Sequence, residues 1–337
     1  MSVALGWSTR RVRTLLIVNP VGTRVRTGMR AEVVTALAAG LDLTVAETTH
    51  RGHATELAGR AVKDGSELVV VMGGDGTINE VVNGLEPGAP IKLGLVGGGK
   101  TNVFARALGL PGDPSEAAGR LLELLAGGHS RTVSLGEAAG RRFTFGAGFG
   151  VDAAIVREVE RWRHTHRLHD DSMYFMAAWR TLATWQRSTP QITVHPGDGR
   201  PSSRAFFVIA SNGDPYTYLG GRPIRVMPGT RFEANLDLLV GQTLAARNIT
   251  RALAGMLSWQ PQAAYPGLPV LSDQLRCLLE AEIPMPLQVD GEYMGDLTTV
   301  ELHSLPGALT VVAPPAPPAL DHAGASGAAG DVPGLPG

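Results

Sequence analysis

The segment from Val69 to Glu80, Val-Val-Val-Met-Gly-Gly-Asp-Gly-Thr-Ile-Asn-Glu, constrains the fold of this chain more than any other. Three β-branched valines and a methionine read as a buried strand that stops at Gly73-Gly74. Asp75-Gly76 reads as a tight turn. Thr77 to Glu80 has the spacing of a helix capping box, so a helix is expected from Ile78 to about Asn83. Strand, glycine turn and helix in that order leave backbone N–H groups at the mouth of a sheet, with a helix dipole behind them. That arrangement suits phosphate oxygens. Asp75 adds a carboxylate to the same turn, which implies a metal ion or a proton to be moved. The dinucleotide pattern G-x-G-x-x-G is broken at Asn79, and the P-loop lysine is missing because Thr77 follows Gly76 directly. Phosphoryl transfer is the chemistry this turn suggests; the plainer reading is a turn that needs glycine for backbone geometry alone.

Around this segment the chain alternates. Buried-strand patterns at residues 14 to 19, 43 to 46 and 92 to 96 are separated by helical patterns at Arg30 to Ala39, His53 to Lys63, Asn102 to Ala107 and Ser115 to Leu125. Such β-α alternation predicts a Rossmann-like parallel sheet with helices on both faces over residues 12–131. The pattern changes at Thr132. Short alternating strands at 132 to 135, 142 to 145, 191 to 194, 205 to 210 and 237 to 240 predict a mainly antiparallel β-sandwich over 132–298. Helical inserts at about 154 to 186 and 245 to 256 interrupt it. Residues 314–337, mostly proline, alanine and glycine, read as a disordered tail.

Composition excludes several classes. A chain of 337 residues is long enough for two domains. Its formal net charge of -1 gives no electrostatic case for nucleic acid. Cys277 stands alone, so no disulfide framework or cysteine metal site is expected, and a reducing, cytoplasmic setting fits best. No segment approaches the ~20 apolar residues that span a bilayer, so membrane contact is expected from the surface only. The run from Leu15 to Val18 after Arg10, Arg11 and Arg13 is too short for a signal peptide. His164, His166 and His169 have the wrong helical spacing to share a metal. Trp162, Tyr174, Phe175, Trp179 and Trp185, with arginines between them, mark the expected lipid-access region.

Three motifs in order resemble the diacylglycerol kinase and sphingosine kinase catalytic family, in its bacterial lipid-kinase branch. They are Val18-Asn19-Pro20-Val21-Gly22, the thirteen residues from Gly73 to Leu85, and Leu93 to Gly99 followed by Asn102-Val103-Phe104-Ala105-Arg106. Weaker echoes run through Gly148 to Ala153, Ser211 to Gly213, Glu233 to Asp237 and Gln288 to Glu292. The resemblance covers about residues 14 to 313. It implies a two-domain fold in which a C-terminal strand, about 299–313, returns to the first domain. It also implies transfer of the ATP γ-phosphate, with magnesium, to a lipid hydroxyl such as that of diacylglycerol, at a membrane surface.

By that resemblance Gly73, Gly74, Gly76 and Thr77 hold nucleotide phosphates, and Asn19, Thr48, Asn79, Glu80, Lys100 and Asn102 lie near the nucleotide. Asp75 organises magnesium or the acceptor hydroxyl. Glu292 is the proton acceptor and Asp290 its close partner; two neighbouring carboxylates tend to raise one pKa, as a general base needs. Read without the family, Asp290-Gly291-Glu292 is an ordinary hairpin turn, and Asn79 and Glu80 are helix-capping residues. The departures are Val103 and Ser134, where the family usually has aspartate, Gly22 for serine, Gly97 for proline, and Glu233-Ala234 for an Asp-Gly pair. The two lost carboxylates weaken the case for an extended magnesium network, and Glu233 is carried as a metal ligand. A NAD kinase-like phosphotransferase with a soluble acceptor and a catalytically silent nucleotide- or lipid-binding module remain as alternatives. Pairing of two copies through an edge strand is allowed but not required.

Overall fold

The computed structural model describes residues 11–22, 27–163, 189–219, 221–257 and 267–317, together with positions 176–177, 180–181 and 185. In the first half β1 (Arg13–Val18), α1 (Thr27–Gly40), β2 (Asp42–Glu47), α2 (His53–Lys63), β3 (Leu68–Gly73), α3 (Asp75–Gly84), β4 (Lys92–Gly97), α4 (Val103–Ala107) and α5 (Pro114–Ala126) follow one another. The strands lie parallel in the order β2-β1-β3-β4, with Leu16 between Val45 and Val70, and Val71 opposite Leu95. Every residue of β3 is buried, which is why its valine run shows no alternation. Helix α2 packs on α3, and α5 packs on α1, the two pairs that right-handed crossovers would set on opposite faces of the sheet. Asp113 caps α5 by accepting from Ser115 N (2.9 Å) and Glu116 N (3.1 Å), with Pro114 at the first helical position.

The start of α3 differs from the expectation. The helix begins at Asp75 with Gly74 as N-cap, so Asp75 and Gly76 form its first turn rather than a turn before it. Glu80 then lies in the second turn, too far along to fold back on the cap, and no capping box forms. Thr77 Oγ1 instead accepts from Asn19 Nδ2 at 2.9 Å.

The second half contains β5 (Arg131–Ala138), β6 (Arg141–Phe143), β7 (Gly146–Gly150), α6 (Val151–Arg163), β8 (Ile192–Pro196), β9 (Ser203–Ala205), β10 (Phe207–Ser211), β11 (Thr217–Leu219) and β12 (Arg222–Ile224). It continues through β13 (Leu236–Gly241), α7 (Ala246–Leu257), β14 (Val270–Gln274), β15 (Arg276–Val289) and β16 (Glu292–Val311). Its pairings are antiparallel, so the molecule joins a parallel α/β layer to an antiparallel β-rich layer. Strand β16 is 20 residues long and joins the two layers. It pairs with β15, then with β5, and ends parallel to β4, where Thr310 meets Lys92 and Val311 meets Leu93.

Alternation gives β10 a core on each face. Val208 and Ala210 enter the cluster with Phe149, Leu279 and Leu287, while Phe207 and Ile209 enter the one with Val151, Met227 and Leu239. Of the long helical insert, α6 is seen to Arg163. His164, His166, His169, Tyr174, Phe175 and Trp179, and the tail from 318 onward, lie outside the described residues.

Candidate active site

Two glycine turns leave the parallel sheet side by side. Gly98 N donates to Gly73 O at 2.8 Å, and a methyl on Gly99 would lie 2.7 Å from Gly74 Cα. Backbone therefore packs on backbone at this point: Gly99 has no room for a side chain, and at Gly74 a methyl would sit 3.3 Å from Gly99 Cα. Asn102 shapes the second turn. Buried and left-handed (φ 49°), it accepts from Gly99 N and donates to Gly99 O, both at 2.9 Å. Lys100 is exposed between them. Asn19 braces the first turn through Thr77, accepts from Val21 N at 3.0 Å, and donates its own amide to Met72 O at 3.0 Å. Thr48 sits at the end of β2, its amide bonded to Val18 O at 2.9 Å.

The Asp75 carboxylate points from the first turn of α3 to the start of α4, where Oδ1 accepts from Phe104 N at 3.3 Å. Burial pushes its pKa up to about 6; bonds from the Val103 and Phe104 amides pull down, Asp290 adds to the rise and Arg106 opposes it. The Arg106 guanidinium lies 3.5 Å from the centroid of the Tyr218 ring, so the β11–β12 hairpin holds it in place.

Two hairpin tips from the second half meet α3. Ala139-Gly140 (φ 49° and 75°) and Asp290-Gly291 (φ 47° and 79°) are two-residue turns with both residues left-handed, the geometry of a type I′ turn. The first tip presents Arg141 and Arg142, the second Asp290 and Glu292. Asp290 accepts from Asn79 Nδ2 (2.8 Å), Thr144 N (2.8 Å), Thr144 Oγ1 (2.9 Å), Phe145 N (3.0 Å) and Gly146 N (3.2 Å). Burial raises its pKa while these donors oppose the rise. Glu292 turns the other way. Its Oε2 accepts from Arg51 Nη2 (2.8 Å) and Arg141 Nη2 (3.3 Å), and its Oε1 lies 3.1 Å from where a Gly76 Cβ would be. The two carboxylates thus take different partners, Asp290 a buried set of amide and hydroxyl donors and Glu292 two arginines. Gln288 holds this tip from behind: Oε1 accepts from Gly291 N (2.9 Å), while Nε2 donates to Tyr216 OH (2.7 Å) and Asp152 Oδ2 (3.0 Å).

Three other expected site residues are engaged elsewhere. Glu80 caps α2, accepting from Gly52 N (2.9 Å) and Ala54 N (3.2 Å). Asn79 is buried at the joint between the two halves, donating to Asp290 and to Arg142 O (2.9 Å) and accepting from Arg141 Nε (2.9 Å). Glu233 Oε1 accepts from Arg131 Nε (2.8 Å) and Nη2 (2.6 Å), and Arg231 Nε stands 3.9 Å from Oε2, so this carboxylate is paired with guanidiniums. Among the described residues no three His, Cys, Asp or Glu side chains come together as a metal site. Arg51 and Arg141 were not read from the sequence, and Arg106 was read only as the last residue of the third motif, without a role. Of the other two, the Ala139-Gly140 turn before Arg141 carried a local signal, and Arg51 sits in an unpatterned loop.

The fold is thus a parallel α/β sheet whose glycine turns face two hairpin tips of an antiparallel β-rich half. Residues 13–138 match the diacylglycerol kinase catalytic domain, and residues 146–313 match the YegS C-terminal NAD kinase beta sandwich-like domain. A diacylglycerol kinase from Staphylococcus carnosus (strain TM300) is 38% identical over 137 residues, 40% of this chain and 43% of that protein. One from Bacillus subtilis (strain 168) is 38% identical over 123 residues, 36% of this chain and 39% of that protein. These matches therefore span about two fifths of the relatives' length. A crystal structure of a diacylglycerol kinase from Bacillus anthracis str. Sterne has a TM-score of 0.69 at 24% identity, covering 91% of this chain and 99% of that one, and shows the shared fold. The chain thus joins a region similar to the diacylglycerol kinase catalytic domain to one similar to the YegS C-terminal domain.

Proposed function

We propose that this protein is an ATP-dependent lipid kinase that moves the γ-phosphoryl group of ATP to the hydroxyl of a lipid such as diacylglycerol. The observation that carries this reading is Glu292 Oε1 facing the first turn of α3, beside Asp75 and the two glycine turns. The side-chain-free turns and the unpaired amides at the start of α3 suit the nucleotide phosphates. The acceptor hydroxyl passes its proton to Glu292 Oε1 as its oxygen attacks Pγ; the bond from Pγ to the β–γ bridging oxygen breaks, and ADP leaves with that electron pair. Asp75 is the one site carboxylate not enclosed by donors or guanidiniums on every side. A single carboxylate plus substrate phosphates fits magnesium, whereas an all-protein cage is not built here. Magnesium held by Asp75 and phosphate oxygens would neutralise charge on the transferring group.

The names of the relatives support a diacylglycerol-like acceptor. No described helix is long and apolar enough to cross a membrane, and the reading places the enzyme at the membrane surface, where it would meet its lipid. The test is transfer of labelled γ-phosphate from ATP and magnesium to a mixed membrane-lipid extract, with Asp75→Ala alongside. A labelled lipid made by the parent and not by the variant is expected, and its mass identifies the acceptor. No labelled lipid despite measurable ATP binding would replace this reading with a silent binding module or a soluble acceptor.

A further inference from the structure

Arg51 belongs to the loop between β2 and α2, yet its guanidinium reaches Glu292 of the second half at 2.8 Å while 76% of its side chain is exposed. Arg141 approaches the same oxygen at 3.3 Å, with its Nε fixed on Asn79 Oδ1 at 2.9 Å. Two guanidiniums on one carboxylate leave an excess positive charge, and the N-terminal end of α3 adds the partial charge of its dipole at the same place. Such a point calls for a second anion.

We propose that Arg51 exchanges partners in the catalytic cycle, holding Glu292 in the free enzyme and the γ-phosphoryl group when the nucleoside triphosphate is bound. This rests on the kinase reading above. The γ-phosphoryl is the right anion because it must meet the acceptor hydroxyl whose proton Glu292 takes, so it lies within reach of guanidiniums already on Glu292. Phosphate oxygens take a guanidinium in a two-bond fork, which a carboxylate oxygen shared with a second arginine cannot offer. Arg51 can swing because it is exposed and loop-borne. Arg141 stays, since Asn79 holds it. Glu292 is therefore released from Arg51 only when a γ-phosphoryl is present, and regains it once ADP remains.

The test is a binding cycle. Affinities for a non-hydrolysable ATP analogue and for ADP, each with magnesium, are measured by calorimetry for the parent, Arg51→Gln, Glu292→Gln and the double variant. Arg51→Gln is expected to weaken the triphosphate analogue by about tenfold, the scale of one charge-assisted fork, while ADP changes less than about twofold. Glu292→Gln removes the competing carboxylate and is expected to tighten the analogue by roughly two- to fivefold, the worth of an exposed ion pair. That gain should vanish in the double variant. Equal effects on both nucleotides, no effect on either, or a Glu292→Gln gain that survives without Arg51 would overturn the exchange. A parent that binds neither nucleotide would instead bring down the kinase reading beneath it.

Discussion

Burial of the Asp75 carboxylate raises its pKa from 3.8 to about 6, because the Val103 and Phe104 amides and the Arg106 charge only partly replace lost water. A carboxyl whose folded value is raised holds its proton more tightly in the folded state than in the unfolded chain. Its stabilising contribution is complete below 3.8 and is lost as pH rises through about 6. Above that window the ionised group costs roughly 3 kcal/mol, since each tenfold in proton affinity is 1.36 kcal/mol. The proposed magnesium site needs the charge that folding resists. Asp75→Asn keeps an acceptor for the Phe104 amide and removes the charge, so in EDTA at pH 8 it should be more stable than the parent by up to ~3 kcal/mol. The gap should close as pH falls from about 6 toward 4, while phosphoryl transfer by the parent declines over the upper part of the same range. Urea melts across pH decide it: parallel curves at every pH would mean that ionised Asp75 is well solvated. The sequence showed that a carboxylate stood at the glycine turn. It could not show burial, which comes from α4 and the β11–β12 hairpin lying over it.

At the scale of elements, the thirteen-residue motif from Gly73 to Leu85 does more joining than binding. Asn79 and Asn83, one helical turn apart, clasp the β5–β6 hairpin: Asn83 donates to Arg142 O and accepts from Arg142 N, both at 3.0 Å. Arg142 also donates to the carbonyls of Val82 and Leu85 at the end of α3. Glu80 serves α2, and Gly84 lets α2 lie close, since a methyl there would fall 2.2 Å from Thr55 O and 2.9 Å from Ala58 Cβ. Capping-box spacing is a local signal, but the amide that Glu80 accepts from at Gly52 is 28 residues away, and local pattern cannot show such a partner. Glu80→Ala should therefore cost about 0.5–2 kcal/mol, as a lost cap does. Gly84→Ala should cost about 1–3 kcal/mol by forcing the two helices apart. Both folded variants should bind ATP within about twofold of the parent, because neither position faces the glycine turns. Urea unfolding and calorimetry together check this. A tenfold loss of ATP affinity in Glu80→Ala without a loss of stability would return Glu80 to the nucleotide site.

Across the whole molecule the valine run of β3 and the β-α alternation were legible because burial on both faces leaves a dense local signature. The extent of β15 and β16 was not. Pro284 and Pro286 interrupt the apolar alternation of β15, and the register of its pairing with β16 shifts between Glu280 and Met285. Only the last part of β16 read as a strand, yet the strand runs unbroken from the Glu292 tip to the edge of β4. The two halves thus share a strand that begins at the proposed base and ends beside the sheet bearing the glycine turns. A fragment of residues 12–131 loses that strand, bares the outer edge of β4, and cuts β5 off at its start. Such an edge is open to pairing with other chains. The fragment should elute as mixed oligomers and unfold without a cooperative urea transition. Extending it through Ala138 and linking residues 302–313 to its end should restore a monomer and a single transition, because β4 and β5 regain the partner that lies between them. A cooperative, monomeric 12–131 fragment would show that the α/β half closes its own edge and that β16 serves only to position Glu292.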